Sequence, residues 1–331
     1  MNLANPEERS FLILDDVAVR RHLSMARCIE SVRQAMQRVS AGGSELPLRS
    51  IMNIPGGPNR LGVMMGYLDD PPSLGVKVVG LYPENPKQGL SSHLGMLLLM
   101  DPETGIPSAC LDAGAITALR TAAASAVATG ALARNDARTL AILGTGEQAE
   151  AHIDAITHVR TIERVVIWGR SHDRAVDLAQ AWAERLHIPV AAAATVPEAV
   201  AEADIVCTTT AAIDPILMGR WLRPGMHLNL VGSSVASSSE VDDGAVLMAR
   251  FFVDHRASAI VQAGELNRAV ASGAVTFDHI VAEIGEVLAG NASGRRSDEE
   301  ITVYKSLGVA AQDLAAAQAA ITSWRHAHGQ G

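Results

Sequence analysis

The pattern of apolar and polar residues divides the chain into a strand-rich first part and a part in which strands and helices alternate. In the first part, apolar runs between Pro- and Gly-rich turns predict strands over residues 11–14, 49–54, 60–67, 74–81, 93–100 and 107–111. Apolar residues at helical spacing predict an amphipathic helix from about Ser24 to Ala41. An Ala-rich helix is predicted over residues 117–132.

From residue 139 onward the pattern alternates. Strands are predicted over residues 140–143, 164–168, 190–193, 205–208, 227–231 and 251–253, with helical stretches between them. Such alternation is typical of an α/β fold with a parallel, doubly wound (Rossmann) sheet. Short helices are predicted over residues 264–271 and 279–289, a polar loop over 290–296, and a last helix over 305–325.

We expect the last helix to return to the N-terminal part of the chain. Residues 1–121 and 305–331 would then form a discontinuous α+β domain, and residues 122–304 the Rossmann domain.

A Gly-rich turn joins the first strand of the alternating part to the helix that follows. Gly144 allows the tight turn, Gly146 lets the backbone approach a pyrophosphate, and the small Ala149 lets the helix pack closely on the sheet. The helix N-terminus then offers N–H groups to the phosphates. The sequence therefore predicts a dinucleotide site, whose residues in this turn are Gly144, Thr145, Gly146, Glu147 and Gln148.

Composition narrows the class of partner. The chain has 331 residues, of which 48% are hydrophobic and 19% charged, and its net charge of -9 argues against nucleic acid or an anionic membrane as a partner. The N-terminal segment does not resemble a secretory signal, and no window approaches an uninterrupted apolar membrane span. The three cysteines are widely spaced, which suits a reducing cytoplasm and indicates neither a disulfide framework nor a metal cluster.

Several motifs, in one order, resemble those of the ornithine cyclodeaminase/μ-crystallin family. They are GVKVVGLYPENPKQGLSSH, ALRTAAASA, ILGTGEQA, VVIWGRS and VYKSLG, and the resemblance runs from about Arg49 to the C-terminal helix. It implies a Rossmann domain, a substrate and dimerisation domain built from both chain ends, and a homodimer. The family includes cyclodeaminases, alanine dehydrogenases, ketimine and cyclic-imine reductases, and μ-crystallin.

The resemblance also implies how a substrate is held. Family members bind the carboxylate of an amino or imino acid with two arginines and a lysine, and Arg49, Lys77 and Arg120 match these positions. Guanidinium groups bind a carboxylate with two hydrogen bonds, and burial would lower the pKa of Lys77 and suit it to proton transfer. His93 matches a histidine of the reductase branches. The alternatives are that Arg49 is a surface or ion-paired residue and that His93 is structural.

Two departures from the family pattern bear on the reaction. Ser234 lies where cyclodeaminases carry an aspartate, and Val63 lies where they carry a glutamate. A serine cannot deprotonate an ammonium group, so these residues argue against cyclodeamination. A dicarboxylic imine would need one further polar contact, for which Ser233, Ser234 and His93 are the candidates.

The strand predicted over residues 164–168, the second of the alternating part, bears on the choice between NADPH and NADH. It is followed by Gly169, Arg170 and Ser171, without the acid that usually holds the ribose 2′-hydroxyl of NAD. This favours NADPH, with NADH as the alternative because an arginine here can also stack on adenine. Further predicted cofactor contacts are Thr121, Thr208, Val231, Gly232, Ser233 and Gly308. The alternative for the residues at strand ends is simple capping of the strand, above all for Thr209, and the alternative for residues 305–308 is the first turn of the last helix.

Together these features predict an NAD(P)H-dependent reductase of α-imino acids that yields an L-amino acid. Candidate substrates are a cyclic ketimine such as Δ1-pyrroline-2-carboxylate and the acyclic iminosuccinate. Three alternatives remain at this point: reductive amination of a 2-oxo acid, a cyclodeaminase-type lyase, and a non-catalytic protein that binds NADPH and a small ligand.

Overall fold

The computed structural model describes residues 11–329, which form two compact units. Unit 1 contains the described residues up to Arg120 and those from Val309 onward, and unit 2 is Thr121–Gly308. Residues 305–308 lie in unit 2, whereas the sequence pattern assigns them to the first domain. Residues 305–308 belong to unit 2 because Lys305 ends a strand of the unit 2 sheet and the next three residues follow directly from it.

Unit 1 is built on a seven-stranded sheet in the order β1-β7-β6-β5-β4-β2, with β3 also paired to β4. The pairs are antiparallel except for β1 with β7. The strands are β1 Leu12–Leu14, β2 Ser44–Glu45, β3 Ser50–Asn53, β4 Arg60–Asp69, β5 Pro72–Leu81, β6 His93–Met100 and β7 Pro107–Asp112. The helices are α1 Asp16–His22, α2 Met25–Ser40, the start of α3 Ala113–Leu132, and α11 Ala310–Ala327.

One face of this sheet is covered by α11 at very short range. A Cβ atom at Gly66 on β4 would lie 2.8 Å from the Cβ of Ala310, and one at Gly75 on β5 would lie 2.9 Å from Cδ2 of Leu314. Glycine at these two positions therefore lets the first turns of α11 lie directly on β4 and β5. This contact fixes the side chains that the start of α11 presents to the sheet.

Unit 2 is an eight-stranded, fully parallel sheet in the order β10-β9-β8-β11-β12-β15-β13-β14, which confirms the predicted doubly wound fold. Its strands are β8 Thr139–Leu143, β9 Arg164–Trp168, β10 Val190–Ala192, β11 Ile205–Thr208, β12 His227–Leu230, β13 Ala249–Val253, β14 Ile280–Glu283 and β15 Ile301–Lys305. Its helices, besides the rest of α3, are α4 Glu147–Thr157, α5 His172–Leu186, α6 Val196–Val200, α7 Asp243–Met248, α8 Arg256–Gln262, α9 Gly264–Ala271 and α10 Ile284–Leu288.

The element predictions differ from the structure in several places. The last helix begins at Ala310, not at residue 305, because β15 is inserted between β12 and β13. Residues 280–283, predicted as helix, form edge strand β14. The short elements α1 and β2 were not predicted. Arg49 precedes β3 instead of starting it.

Helix α3 is the one helix among residues 11–329 that is long and apolar enough to cross a membrane. Of its most apolar window, 78% is buried inside the protein. The core helix of a globular protein has the same composition, and the burial identifies α3 as such a helix.

Candidate active site

Lys77 lies on the inward face of β5, where it is 2% exposed. Its neighbours across the sheet are the buried apolar side chains of Met64 on β4 and Leu97 on β6. The ammonium group donates to Oδ1 of Asp313 at 2.8 Å and to the hydroxyl of Thr117 at 3.2 Å. An amine in such apolar surroundings is held in place by these two polar contacts.

Arg120, on α3, converges on the same carboxylate. Its Nε atom donates to Oδ1 of Asp313 at 2.9 Å, and its Nη1 atom donates to the side-chain oxygen of Gln312 at 3.0 Å. The Arg120 side chain is 6% exposed and Asp313 is fully buried. One buried carboxylate oxygen thus serves two cations, so the cluster carries an excess positive charge. Such a cluster suits a bound anion.

Opposing effects set the pKa values of this cluster. Burial lowers the pKa of Lys77, Asp313 raises it, and Arg120 and Arg49 lower it, so that it settles at about 8. This confirms the expectation that burial lowers the pKa of Lys77. Burial raises the pKa of Asp313, but Arg120 and Lys77 lower it further, and the net value is below the ordinary range. Lys77 can therefore be charged at neutral pH and still release a proton readily.

Arg49 and His93 lie within electrostatic reach of Lys77. Arg49 is half-buried just before β3, and its charge contributes to lowering the pKa of Lys77. His93 opens β6, with Nδ1 2.9 Å from the hydroxyl of Ser92. Burial, then Lys77, then Arg120 lower the pKa of His93, which favours a neutral ring. Unit 1 thus brings together four residues singled out from the sequence, which are Arg49, Lys77, His93 and Arg120.

Sequence reasoning missed Asp313, Gln312 and Thr117. A signal for Asp313 does exist, since it is the only charged residue between Lys305 and Arg325 in an Ala-rich stretch. A lone carboxylate in an apolar helix requires a buried cationic partner.

In unit 2, the Gly-rich turn has the geometry of a phosphate-binding turn. Gly144 has φ +138°, and a Cβ atom there would lie 2.5 Å from the hydroxyl of Thr209. Gly146 caps α4, and a Cβ on it would meet no atom of the described residues within 4 Å. The N-terminus of α4 therefore faces open space that fits a pyrophosphate. Thr145 lies in this turn, while Glu147 and Gln148 open α4.

Two arginines lie beyond the end of β9. Arg170 is exposed, and Ser171 caps α5 by accepting a hydrogen bond from the backbone N–H of Arg174. The Arg174 guanidinium reaches the carbonyl of Thr145 at 3.3 Å, which places it beside the Gly-rich turn. Sequence reasoning missed Arg174. The N-terminus of α5 and these two guanidinium groups together suit a phosphate group.

Glu240 ties together the ends of β11 and β12. Its fully buried carboxylate accepts hydrogen bonds from the hydroxyl of Thr208 at 2.6 Å and from the backbone N–H of Gly232 at 2.7 Å. It also accepts from the backbone N–H and hydroxyl of Thr210. The hydroxyl of Thr208, expected to contact the cofactor, is directed to Glu240. The role of Thr208 is then to shape the strand end.

A second buried lysine lies at the end of β15. Lys305 donates to the hydroxyl of Ser233 at 2.8 Å and lies 3.3 Å from Oε2 of Glu265. The Ser233 hydroxyl donates to Glu265, and burial raises the pKa of that carboxyl. All three side chains are buried, so Ser233 is held within the protein by this network.

The other predicted residues of unit 2 lie after strands β12 and β15 or on helix α3. Val231 directly follows β12, and Ser234 is half-buried beside Ser233. Gly308 has φ +76°, and its backbone N–H donates to the buried Asp254 at 2.6 Å. Thr121 is a buried residue of α3.

Comparison with known proteins assigns the family. Residues 9–328 match the ornithine cyclodeaminase/mu-crystallin family. The chain is 36% identical to a Δ1-pyrroline-2-carboxylate reductase of Bacillus cereus, over 93% of this chain and 94% of the relative.

Two solved structures are also similar. The Δ1-pyrroline-2-carboxylate reductase of Thermococcus litoralis, solved with NADH and L-proline, is 35% identical and has a TM-score of 0.93 over 96% of this chain and 98% of that one. An archaeal alanine dehydrogenase dimer with bound NAD is 30% identical, with a TM-score of 0.90 over 96% and 97%. The chain therefore belongs to the ornithine cyclodeaminase/mu-crystallin family.

Proposed function

We propose that this protein is an NAD(P)H-dependent reductase that converts an α-imino acid, foremost Δ1-pyrroline-2-carboxylate, to an L-amino acid. The observation that carries this proposal is the buried cluster of Lys77, Arg120 and Asp313, whose excess positive charge suits a carboxylate. Relatives of the chain are named for this reaction.

The chain supplies binding and a proton. Arg120, with Arg49, binds the substrate carboxylate and so orients the carbon of the C=N bond. Lys77 donates a proton to the imine nitrogen, for which its pKa of about 8 is suited. The bound nicotinamide cofactor supplies the hydride that the carbon of the C=N bond accepts. The amine product then carries one added hydride and one added proton.

This chain lacks the two acidic residues that the cyclodeaminase reaction requires. Ser234 and Val63 replace the two carboxylates of the lyase pattern. Among the described buried acids, Asp313 is paired with Lys77 and Glu265 with Lys305, while Glu240 and Asp254 accept hydrogen bonds from backbone N–H groups. No base in this set is suited to remove a proton from an ammonium group.

A cyclic ketimine is favoured over a dicarboxylic imine by the surroundings of Lys77. The side chains directly across the sheet are the apolar Met64 and Leu97. They suit the methylene groups of a pyrroline ring, whereas a second carboxylate needs a cation or hydroxyl. His93, with its lowered pKa, supplies no fixed positive charge.

NADPH is favoured as the cofactor by the end of β9. Arg170, the N-terminus of α5 and Arg174 provide two guanidinium groups and a helix N-terminus, where NAD-preferring proteins carry an acid. NADH binding is also expected, since related proteins bind NADH or NAD.

A second copy of the chain is the proposed partner. The sheet face of unit 1 opposite Lys77 exposes Met65, Val78, Leu94 and Met96, with Val78 paired to Met96 across β5 and β6. An apolar face of this kind is typical of an interface, and one related structure is a dimer. We expect a dimer by light scattering and a monomer after Met96→Glu. A Met96→Glu protein that stays dimeric would exclude this face.

The three cysteines are free thiols, which suits the proposed cytoplasmic location.

The test of function is cofactor oxidation followed by loss of nicotinamide absorbance. The substrates are Δ1-pyrroline-2-carboxylate, iminosuccinate generated in situ, and pyruvate with ammonia, each with NADPH and with NADH. Ornithine is tested separately for ammonia release. Fastest oxidation with the cyclic imine supports the proposal. Cofactor binding without oxidation of any substrate contradicts it, as does ammonia release from ornithine without net oxidation.

A further inference from the structure

We propose that Asp313 is a positioning residue. It holds the ammonium group of Lys77 and the guanidinium group of Arg120 next to each other, and it keeps Lys77 charged for proton donation. This inference rests on the proposed reductase function and assigns a role to a residue outside the sequence motifs of the site. The geometry points to it because a single oxygen, Oδ1, accepts from Nζ of Lys77 at 2.8 Å and from Nε of Arg120 at 2.9 Å.

The position of Asp313 is fixed by its helix. Asp313 lies in the first turn of α11, whose adjoining residues pack directly over Gly66 and Gly75 of the sheet. Its neighbour Gln312 accepts from Nη1 of Arg120 and so fixes the plane of the guanidinium. Two consecutive residues of one helix thus control two of the three guanidinium nitrogens.

The bonding of the carboxylate is confined to the two cations. Asp313 is fully buried, and its second oxygen, Oδ2, accepts no hydrogen bond from the described residues. Burying a carboxylate costs free energy unless charged partners compensate for it. Here both compensating cations, Lys77 and Arg120, bind the same oxygen, Oδ1, so its position sets the positions of both.

The charges that face Lys77 come from several elements. They are Asp313 from α11, Arg120 from α3, Arg49 from before β3 and His93 from β6. Near them is Cys28 of α2, a thiol whose pKa burial raises to about 12, so it remains uncharged. Asp313 is the one anion in this set. Without it, burial and two arginines would all favour the neutral amine of Lys77.

The test is Asp313→Asn, which keeps the shape of the side chain and removes its charge. Two quantities are measured against pH: kcat/KM for Δ1-pyrroline-2-carboxylate, and the affinity for the planar anion pyrrole-2-carboxylate by calorimetry with NADP+ present. In the wild type, kcat/KM and the affinity for pyrrole-2-carboxylate should both decrease with rising pH as Lys77 loses its proton. In Asp313→Asn this decrease should occur about one to three pH units lower, because Lys77 has lost an adjacent opposite charge.

The matched control is Asp69→Asn, which removes the carboxylate of the Arg38–Asp69 ion pair in unit 1. Its pH profiles should coincide with those of the wild type. A uniform loss of activity in Asp313→Asn, with the fall at the wild-type pH, would overturn the proposal and leave a structural role only.

A second variant covers the case in which Asp313→Asn does not fold. Asp313→Glu keeps the charge but displaces the oxygen, so kcat should fall while the pH of the fall stays near the wild-type value. A fall displaced by a full pH unit in Asp313→Glu would overturn the charge argument. If the wild type reduces no imine yet the calorimetric shift appears, the proposed function fails and the role of Asp313 stands.

Discussion

The protein contains two buried lysines on strands, and the balance of acidic and basic groups around them differs. Lys77 in unit 1 shares one carboxylate, Asp313, with Arg120, so cations exceed anions. Lys305 in unit 2 is paired with Glu265, a carboxyl whose pKa burial raises, and the backbone N–H of Glu240, a second buried acid, binds the same carboxyl. Acidic groups therefore outnumber basic groups around Lys305, whereas basic groups outnumber acidic groups around Lys77.

The difference has a chemical meaning. A positive excess in unit 1 suits an anionic imino acid. In unit 2, burial raises the pKa of Glu265, and Lys305 is its buried cationic partner. Burial is therefore common to both lysines, and the groups around them separate the proposed catalytic lysine, Lys77, from Lys305.

The largest expected effect is on turnover. Lys77→Met retains the apolar stem between Met64 and Leu97 and removes the proposed proton donor, so kcat/KM should fall about 10²–10⁴-fold with NADPH affinity nearly unchanged. Initial-rate kinetics and fluorescence titration with NADPH measure the two quantities. The matched control is Lys87→Met at an exposed lysine, which should leave both unchanged. Near-normal turnover in Lys77→Met would contradict the role of Lys77 as proton donor and so the proposed difference between Lys77 and Lys305.

The second effect is on the free energy of unfolding and tests the role of Lys305. Lys305→Met leaves Glu265 buried without a cation, so unit 2 should lose about 3–5 kcal/mol of unfolding free energy. Lys77→Met should cost less, because Asp313 retains Arg120. Denaturant unfolding followed by far-UV circular dichroism reports on the helices and strands of both units and so measures both losses. Equal losses in the two variants would show that the clusters do not differ.

The third effect concerns cofactor choice. Arg170→Ala should weaken NADPH by at least about tenfold through loss of charge-assisted hydrogen bonds, and NADH by much less. Dissociation constants for both cofactors measure it. Arg185→Ala, at the opposite end of α5, is the control and should affect neither. An equal loss for both cofactors would indicate that Arg170 only stacks on adenine.

The smallest effect is the pH dependence of the wild type. Because Lys77 is the proposed proton donor and its pKa is about 8, kcat/KM should be level below this pH and fall about tenfold per unit above it. The sign follows from loss of the donated proton as pH rises. A profile that instead rises through pH 8 would indicate that Lys77 acts as a base.

Local features of the sequence predicted most of the fold. Strand β9 and the Gly-rich turn of unit 2 follow from periodicity and glycine spacing within about ten residues. Strand β15 was missed because its place between β12 and β13 depends on residues about 50–75 positions earlier in the chain. Long-range pairing of this kind leaves little local signal.

The candidate site shows the same limit. The basic residues Lys77 and Arg120 were visible from their motifs, but Asp313 forms its hydrogen bond with Lys77 across 236 positions. Thr208 and Ser233 were expected to contact the cofactor because they lie at strand ends. Their hydroxyls are directed to Glu240 and Glu265, each 32 positions further along the chain. Position at a strand end predicts the neighbourhood of a side chain, and the hydrogen-bond partner depends on the fold.

The long separation of Lys77 and Asp313 has a consequence for synthesis on the ribosome. The strands β2 to β7 and Lys77 emerge first, whereas α11 emerges only after all of unit 2 has been made. During that interval the nascent sheet of unit 1 lacks both the helix that covers Gly66 and Gly75 and the carboxylate that pairs with Lys77. Unit 2 is continuous in sequence and can form its contacts as it is made, so assembly of the charged cluster is a late event of biogenesis.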